Sequence, residues 1–201
     1  MGFKIVQAGE PVLRQQARTL TREDILAAAT GELIESMKET MYEAPGVGLA
    51  APQIGLPLQL AVIEDRAEYL KDLPDETLTS RERRPVPFVV LINPSVVSHS
   101  GEQAEFFEGC LSLHGFSALV KRSRSVTVEY LDREAEPRRI EARGWFARIL
   151  QHEIDHLNGV LYIDRMEPRS FMTVENLGRH WKDLPIGAVR ERLGIGLNKP
   201  A

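Results

Sequence analysis

Residues 151–159 read Gln-His-Glu-Ile-Asp-His-Leu-Asn-Gly, a His-Glu-x-x-His pattern. Successive residues of a helix advance by about 100°, so side chains four positions apart point the same way, one turn along. His152 and His156 therefore stand side by side and offer two imidazoles to one metal ion. Glu153 projects from a neighbouring angle, the place for a base acting on a metal-activated water. A pattern this short carries weight only if the segment is helical.

The flanking residues favour a helix. Residues 145–157 contain neither Pro nor Gly, Gly144 precedes them, and Gly159 follows where a left-handed C′ residue belongs. Phe146, Ile149, Leu150, Ile154 and Leu157 recur at helical spacing as one apolar stripe. His152, His156, Arg148 and Trp145 fall on an adjacent face, off that stripe.

Other elements follow from pattern. Thr21 and Asp24 form a capping pair for a helix running to about Glu43, with Leu26, Ala29, Leu33, Met37 and Thr40 along its packing side. Residues 44–55 hold three glycines, two prolines and several small side chains. They describe a tight loop whose backbone can pair with an extended ligand, with Gln53 supplying an amide donor. Residues 58–63 and 85–92 read as strands, Pro87 marking an edge or a bulge in the second. The polar residues 64–84 between them read as a surface excursion with a short helix. Asn93-Pro94 reads as a turn. Residues 126–131 and 138–143 alternate as two further strands. Residues 171–181 read as a helix, and residues 184–201, with Pro185, Gly187, Gly194 and Gly196, as a loosely held tail of a single catalytic domain spanning 1–201.

Composition excludes several classes. A chain of 201 residues with 43% hydrophobic and 27% charged residues has the make-up of one globular domain. A net charge of −4 gives no sign of nucleic-acid binding. The basic clusters at 81–84 and 121–124 read as solvated surface. No apolar run approaches the length of a spanning helix, and the first 20 residues lack a signal-peptide pattern, so neither membrane nor export is expected. Cys110 is the sole cysteine. That excludes an intrachain disulfide and agrees with a reducing cytoplasm.

Three segments, Gly46-Val47-Gly48-Leu49-Ala50-Ala51-Pro52-Gln53, Glu108-Gly109-Cys110-Leu111-Ser112 and residues 151–159, occur in the order and spacing of the peptide deformylase family. Together they resemble it over roughly residues 6–166. The charged excursion and Phe106-Phe107 are similar to the subgroup that includes plant and mitochondrial members, so a bacterial enzyme and a mature organellar form both fit.

The resemblance implies an α+β fold, mainly antiparallel strands in small sheets around a central metal-binding helix. It also implies one divalent ion per chain held by Cys110, His152 and His156, with Fe²⁺ first and Zn²⁺ or Ni²⁺ as substitutes. Three protein ligands with a fourth position open is the arrangement of a catalytic ion. The implied reaction is hydrolysis of the N-formyl group of N-formylmethionyl nascent peptides. In it Glu153 carries the proton, and Gln53 and the Leu111 N–H meet the oxyanion. The peptide backbone would pair at Val47, Gly48 and Gly109, and the methionine side chain would enter a pocket at Trp145, Arg148 and Ile149. His114 is a rival ligand. Ser117 stands where many members carry arginine. Asp155 and Arg122 pair either to brace the ligands from behind or as a plain surface bridge. Transient proximity to the ribosome is expected, but not docking through a terminal helix, from which the C-terminal stretch departs. The competing readings are a His-Glu-x-x-His endopeptidase, with His180 as its third ligand, and an inactive relative that only holds metal or peptide.

Overall fold

The computed structural model describes residues 2–196. Its order begins with α1 (Arg22–Leu26), α2 (Ala28–Glu43), β1 (Gly48–Ala50), β2 (Leu60–Asp65), α3 (Asp75–Ser80), β3 (Val86–His99) and β4 (Gln103–Gly109). β5 (Phe116–Ser123), β6 (Ser125–Leu131), β7 (Pro137–Arg143), α4 (Gly144–Leu157), β8 (Met172–Thr173), α5 (Val174–His180) and α6 (Ile186–Arg192) follow. Five strands form one antiparallel sheet in the order β1-β2-β3-β6-β7, and three form a second in the order β4-β5-β8. This is the expected α+β class.

Helix α4 lies between the sheets. Its apolar residues Ala147, Leu150 and Ile154 pack with Ile63, Leu91, Val126 and Val128 of the five-stranded sheet. Its polar residues meet the smaller sheet: Gln151 exchanges hydrogen bonds with the Ser123 backbone, and Arg148 donates to the carbonyls of Val120 and Ala104. The other face of the large sheet is covered by α2, where Ile34, Met37 and Met41 join Leu60 and Val62. Leu60 and Val62 thus face α2 while Ile63 faces α4, which is why β2 is a continuous apolar run.

The structure corrects several expectations. Thr21 and Asp24 do make a reciprocal cap, but the helix stops at Leu26 because Ala27 is extended, with ψ at 139°. The register of α2 shifts in consequence. Ile34, Met37, Thr40 and Met41 face inward, and Leu26 is exposed. Asn93-Pro94 is no turn: β3 runs straight through it, with Asn93 at φ +50° and a register shift between Ile92 and Ser95. Of the two places expected for Pro87 the structure has the bulge, not the edge: it lies in a central strand, at the irregularity opposite Glu64 between the pairs of Ile63 and Asp65. Residues 116–123, not read as a strand from sequence, form β5. The stretch from 184, expected to be loose, seats Val189 and Ile195 against Leu119 on the outer face of the small sheet. Residues 197–201 of that expected tail lie outside the described residues. No helix among the described residues is long and apolar enough to cross a membrane.

Gly159 ends α4 with φ +72°, and a Cβ there would meet the Arg14 carbonyl carbon at 2.8 Å. Both facts demand glycine. Gly159→Ala is expected to lower the unfolding free energy by about 1–3 kcal/mol, a fall of several °C in Tm. Gly101→Ala, with nothing within 4 Å, should be near neutral in the same thermal melt.

Candidate metal centre and substrate cavity

β4 and β5 pair without interruption, Glu108 opposite Ala118 and Gly109 opposite Ser117. The end of β4 therefore delivers Cys110 beside α4. Cys110, His152 and His156 bring their ligand atoms within 4.8 Å of one another. Cys110 Sγ lies 3.2 Å from His156 Nε2. Two ligands on one tetrahedral ion, at metal–sulfur and metal–nitrogen bonds of about 2.3 and 2.0 Å, stand roughly 3.5 Å apart. His152 Nδ1 is taken by Glu108 Oε2 at 3.1 Å, which leaves Nε2 as its ligand nitrogen. The donor set fits one divalent ion. His114 is exposed and outside the cluster, as is His180.

Glu108 ties the site to the rest of the protein. Its carboxylate accepts Arg122 Nε at 2.6 Å and Nη2 at 2.9 Å, and also Arg148 Nη1. Burial alone would raise its pKa, yet Arg122 and His152 hold it well below the usual carboxylate range. Arg122 reaches on to Asp155 at 2.7 Å, which accepts two further bonds from Arg165. Arg122 is therefore no part of a solvated cluster, and Asp155 braces the ligands from inside the protein. Arg148 has its guanidinium engaged by Glu108 and by backbone carbonyls, so only its stem can face a ligand.

Glu153 is buried beside the ligands, and its Oε2 has no hydrogen-bond partner among the described residues. Burial pushes its pKa up to about 7 against the opposing pull of His152 and Arg122. Gly48 makes room for it: a Cβ at 48 would meet Glu153 Cδ at 2.6 Å and Cγ at 2.8 Å. Gln53 accepts the Ala50 N–H at 2.9 Å through Oε1. That turns Nε2 towards Cys110 Sγ at 3.6 Å and Ser112 Oγ at 3.3 Å.

These groups open on a cavity of about 520 Å³ lined by Val47, Gly48, Gln53, Gly109, Leu111 and Ile149, among others. Trp145 and Arg148 line it too. β1 forms one lip, and as the edge strand it pairs with a strand, β2, on one side only among the described residues. The excursion at 64–84 returns to this cavity instead of staying on the surface. Asp65 takes Arg83 in a buried bidentate pair at 2.7 and 2.8 Å, and Arg81 stacks over Trp145 at 4.7 Å. Burial, with Arg83 and Arg148 nearby, lowers the Arg81 pKa to about 10.

A family model described as polypeptide deformylase matches residues 3–171. The chain belongs to the peptide deformylase family. Among relatives of this deformylase chain, the chloroplastic peptide deformylase 1A of Solanum lycopersicum is 47% identical over 95% of this chain and 67% of its own length. Peptide deformylase 1 of Bifidobacterium longum is 49% identical over 96% and 86%. A Met-Ala-Ser-bound class I type b peptide deformylase from Acinetobacter baumannii superposes with a TM-score of 0.73 at 30% identity, over 83% of this chain and 99% of its own. The deformylase of Thermotoga maritima gives 0.70 at 35% identity, over 84% and 99%. Members of the family remove the formyl group from nascent peptides and depend on a metal ion.

One residue of this deformylase site was not singled out from sequence, and one was singled out for a different reason. Glu108 was read only as the first letter of a motif, and Gly48 was named for its backbone and not for the room it leaves Glu153. The missed signal was charge inside apolar runs: Arg148 between Ala147 and Ile149, and Arg122 just after Ala118-Leu119-Val120. Two such cations need a buried anion. Glu108→Gln removes that anion, so zinc affinity measured by chelator competition should fall about 10–100-fold. Stability in denaturant should fall by about 3 kcal/mol or more, because two guanidiniums lose their carboxylate. Unchanged zinc affinity would contradict the assigned role.

Proposed function

We propose that this chain removes the N-formyl group from N-formylmethionyl peptides at the Cys110–His152–His156 centre, as one catalytic domain. The observation that carries the reading is a buried carboxylate, Glu153, whose Oε2 has no hydrogen-bond partner among the described residues, beside a three-ligand set in a peptide-sized cavity. The three ligands would hold one divalent ion, Fe²⁺ by family resemblance with Zn²⁺ or Ni²⁺ as substitutes, and when bound it supplies Lewis-acid polarisation and an acidified water.

The chain's own groups do the rest. Gly48 on the outer edge of β1 and Val47 just before it, with Gly109 opposite, take the peptide backbone alongside and fix the formyl group over the ligands. Trp145, Ile149 and the stem of Arg148 receive the methionine side chain. Glu153 takes the proton of the water that adds to the formyl carbon. Gln53 Nε2 and the Leu111 N–H donate to the oxygen that becomes an oxyanion, each such donor being worth about 3–4 kcal/mol of barrier. The C–N bond then breaks, Glu153 passes its proton to the leaving amine, and formate departs. An endopeptidase reading lacks its third ligand, since His180 lies outside the cluster.

The substrate places the protein near the ribosome transiently, and we assign it to a bacterial cytoplasm. The named compartments of the plant relatives make a mature organellar form the alternative. Glu153→Gln tests the central role. The variant should bind one equivalent of metal like the parent, while formate release from formyl-Met-Ala falls by at least about 10²–10⁴-fold. Turnover close to the parent's would remove Glu153 from the mechanism.

A further inference from the structure

The family match ends at residue 171, but the chain continues into β8 and α5, and these close one side of the substrate cavity. Backbone pairing holds the segment there. Phe116 lies opposite Thr173 and Ser117 opposite Met172, and the Val174 N–H donates to the Gly115 carbonyl at 2.9 Å. Val174 and Leu177 thereby join Phe116 in lining the cavity. Phe116 in turn stacks on Phe171, with ring centroids 5.0 Å apart and planes within 8°.

This rim is unusually apolar for its exposure. Phe116 and Phe171 are each 41% exposed and Val174 is 50% exposed. Of the six large hydrophobic side chains left exposed among the described residues, these three share one place. Grouped apolar surface at the edge of a cavity marks a contact site better than apolar residues scattered singly. Its continuity with the cavity says what covers it. A peptide pinned along β1, with its methionine in the inner pocket at Trp145 and Ile149, must carry its following residues out over the cavity's lip.

We propose that Phe116, Phe171, Val174 and Leu177 form a subsite for an apolar side chain at the second or third residue of the formylated peptide. The rim then sets which nascent chains are processed fastest. This rests on the deformylase reading above. It adds a determinant that two residues beyond the family match, Val174 and Leu177, build together with Phe116 and Phe171.

The test compares kcat/KM for formyl-Met-Ala-Phe and formyl-Met-Phe-Ala with that for formyl-Met-Ala-Asp, within the parent and within the double variant Phe171→Ser/Val174→Ser. Both positions are exposed, and matched circular dichroism spectra check that the variant is folded. The parent should favour at least one of the two apolar peptides about tenfold, the scale of a modest apolar contact. Most of that ratio should vanish in the double variant through a rise in KM. Equal rates in the parent, or a ratio surviving in the variant, would overturn the subsite while leaving formyl removal intact. No release of formate from formyl-Met-Ala by the parent would instead overturn the underlying activity, and the subsite with it.

Discussion

One buried carboxylate organises this molecule. Glu108 sits between two sheets where an ionised group is costly unless its lone pairs are filled, and Arg122, Arg148 and His152 fill them. Each partner comes from a different constraint. Arg122 belongs to β5 and reaches Asp155, Arg148 lies one turn before His152 on α4 and donates to backbone carbonyls, and His152 presents its other nitrogen to the ligand cluster. The network therefore does two things at once. It locks α4 to the three-stranded sheet, and it fixes the orientation of an imidazole. Such a cluster is not a source of large net stability, because desolvation offsets much of the attraction. Its value is geometric: slippage of α4 against β4 or β5 would leave a buried charge unpaired.

The same economy governs the rest of the site. β1 is short and lies at a sheet edge, and its Gly48 lets the Glu153 carboxylate lie directly against it. Gln53 is aimed by its own bond to the Ala50 N–H, so the amide that faces the cluster is held before any substrate arrives. Preorganised donors of this kind cost no rearrangement at the moment of reaction.

Much of the centre was legible in the sequence because it depends on local rules. The four-residue spacing of His152 and His156, the glycine at 159 and the capping pair at Thr21 are all short-range signals, and the three motifs placed Cys110 with them through family resemblance. What failed depended on tertiary surroundings. The pairing of Arg122 with Asp155 was anticipated, but its cluster read as solvated because no local rule says that Glu108 will meet it in the interior. The α4 stripe was correctly apolar, yet the helix is covered on its polar side too, since a second sheet lies there. Asn93-Pro94 carried turn chemistry but was absorbed as an irregularity in a long strand held by neighbours on both sides. The tail from 184 was rich in breakers, and only Leu119, far away in sequence, reveals why Val189 and Ile195 are fixed.

The proposed chemistry needs a sulfur joining two nitrogens around one ion. X-ray absorption of the protein loaded with one equivalent of zinc tests this most directly. The expected shell has one sulfur at about 2.3 Å and two imidazole nitrogens at about 2.0–2.1 Å, with one lighter atom beside them. A shell without sulfur, or one whose sulfur persists in Cys110→Ser, would contradict it.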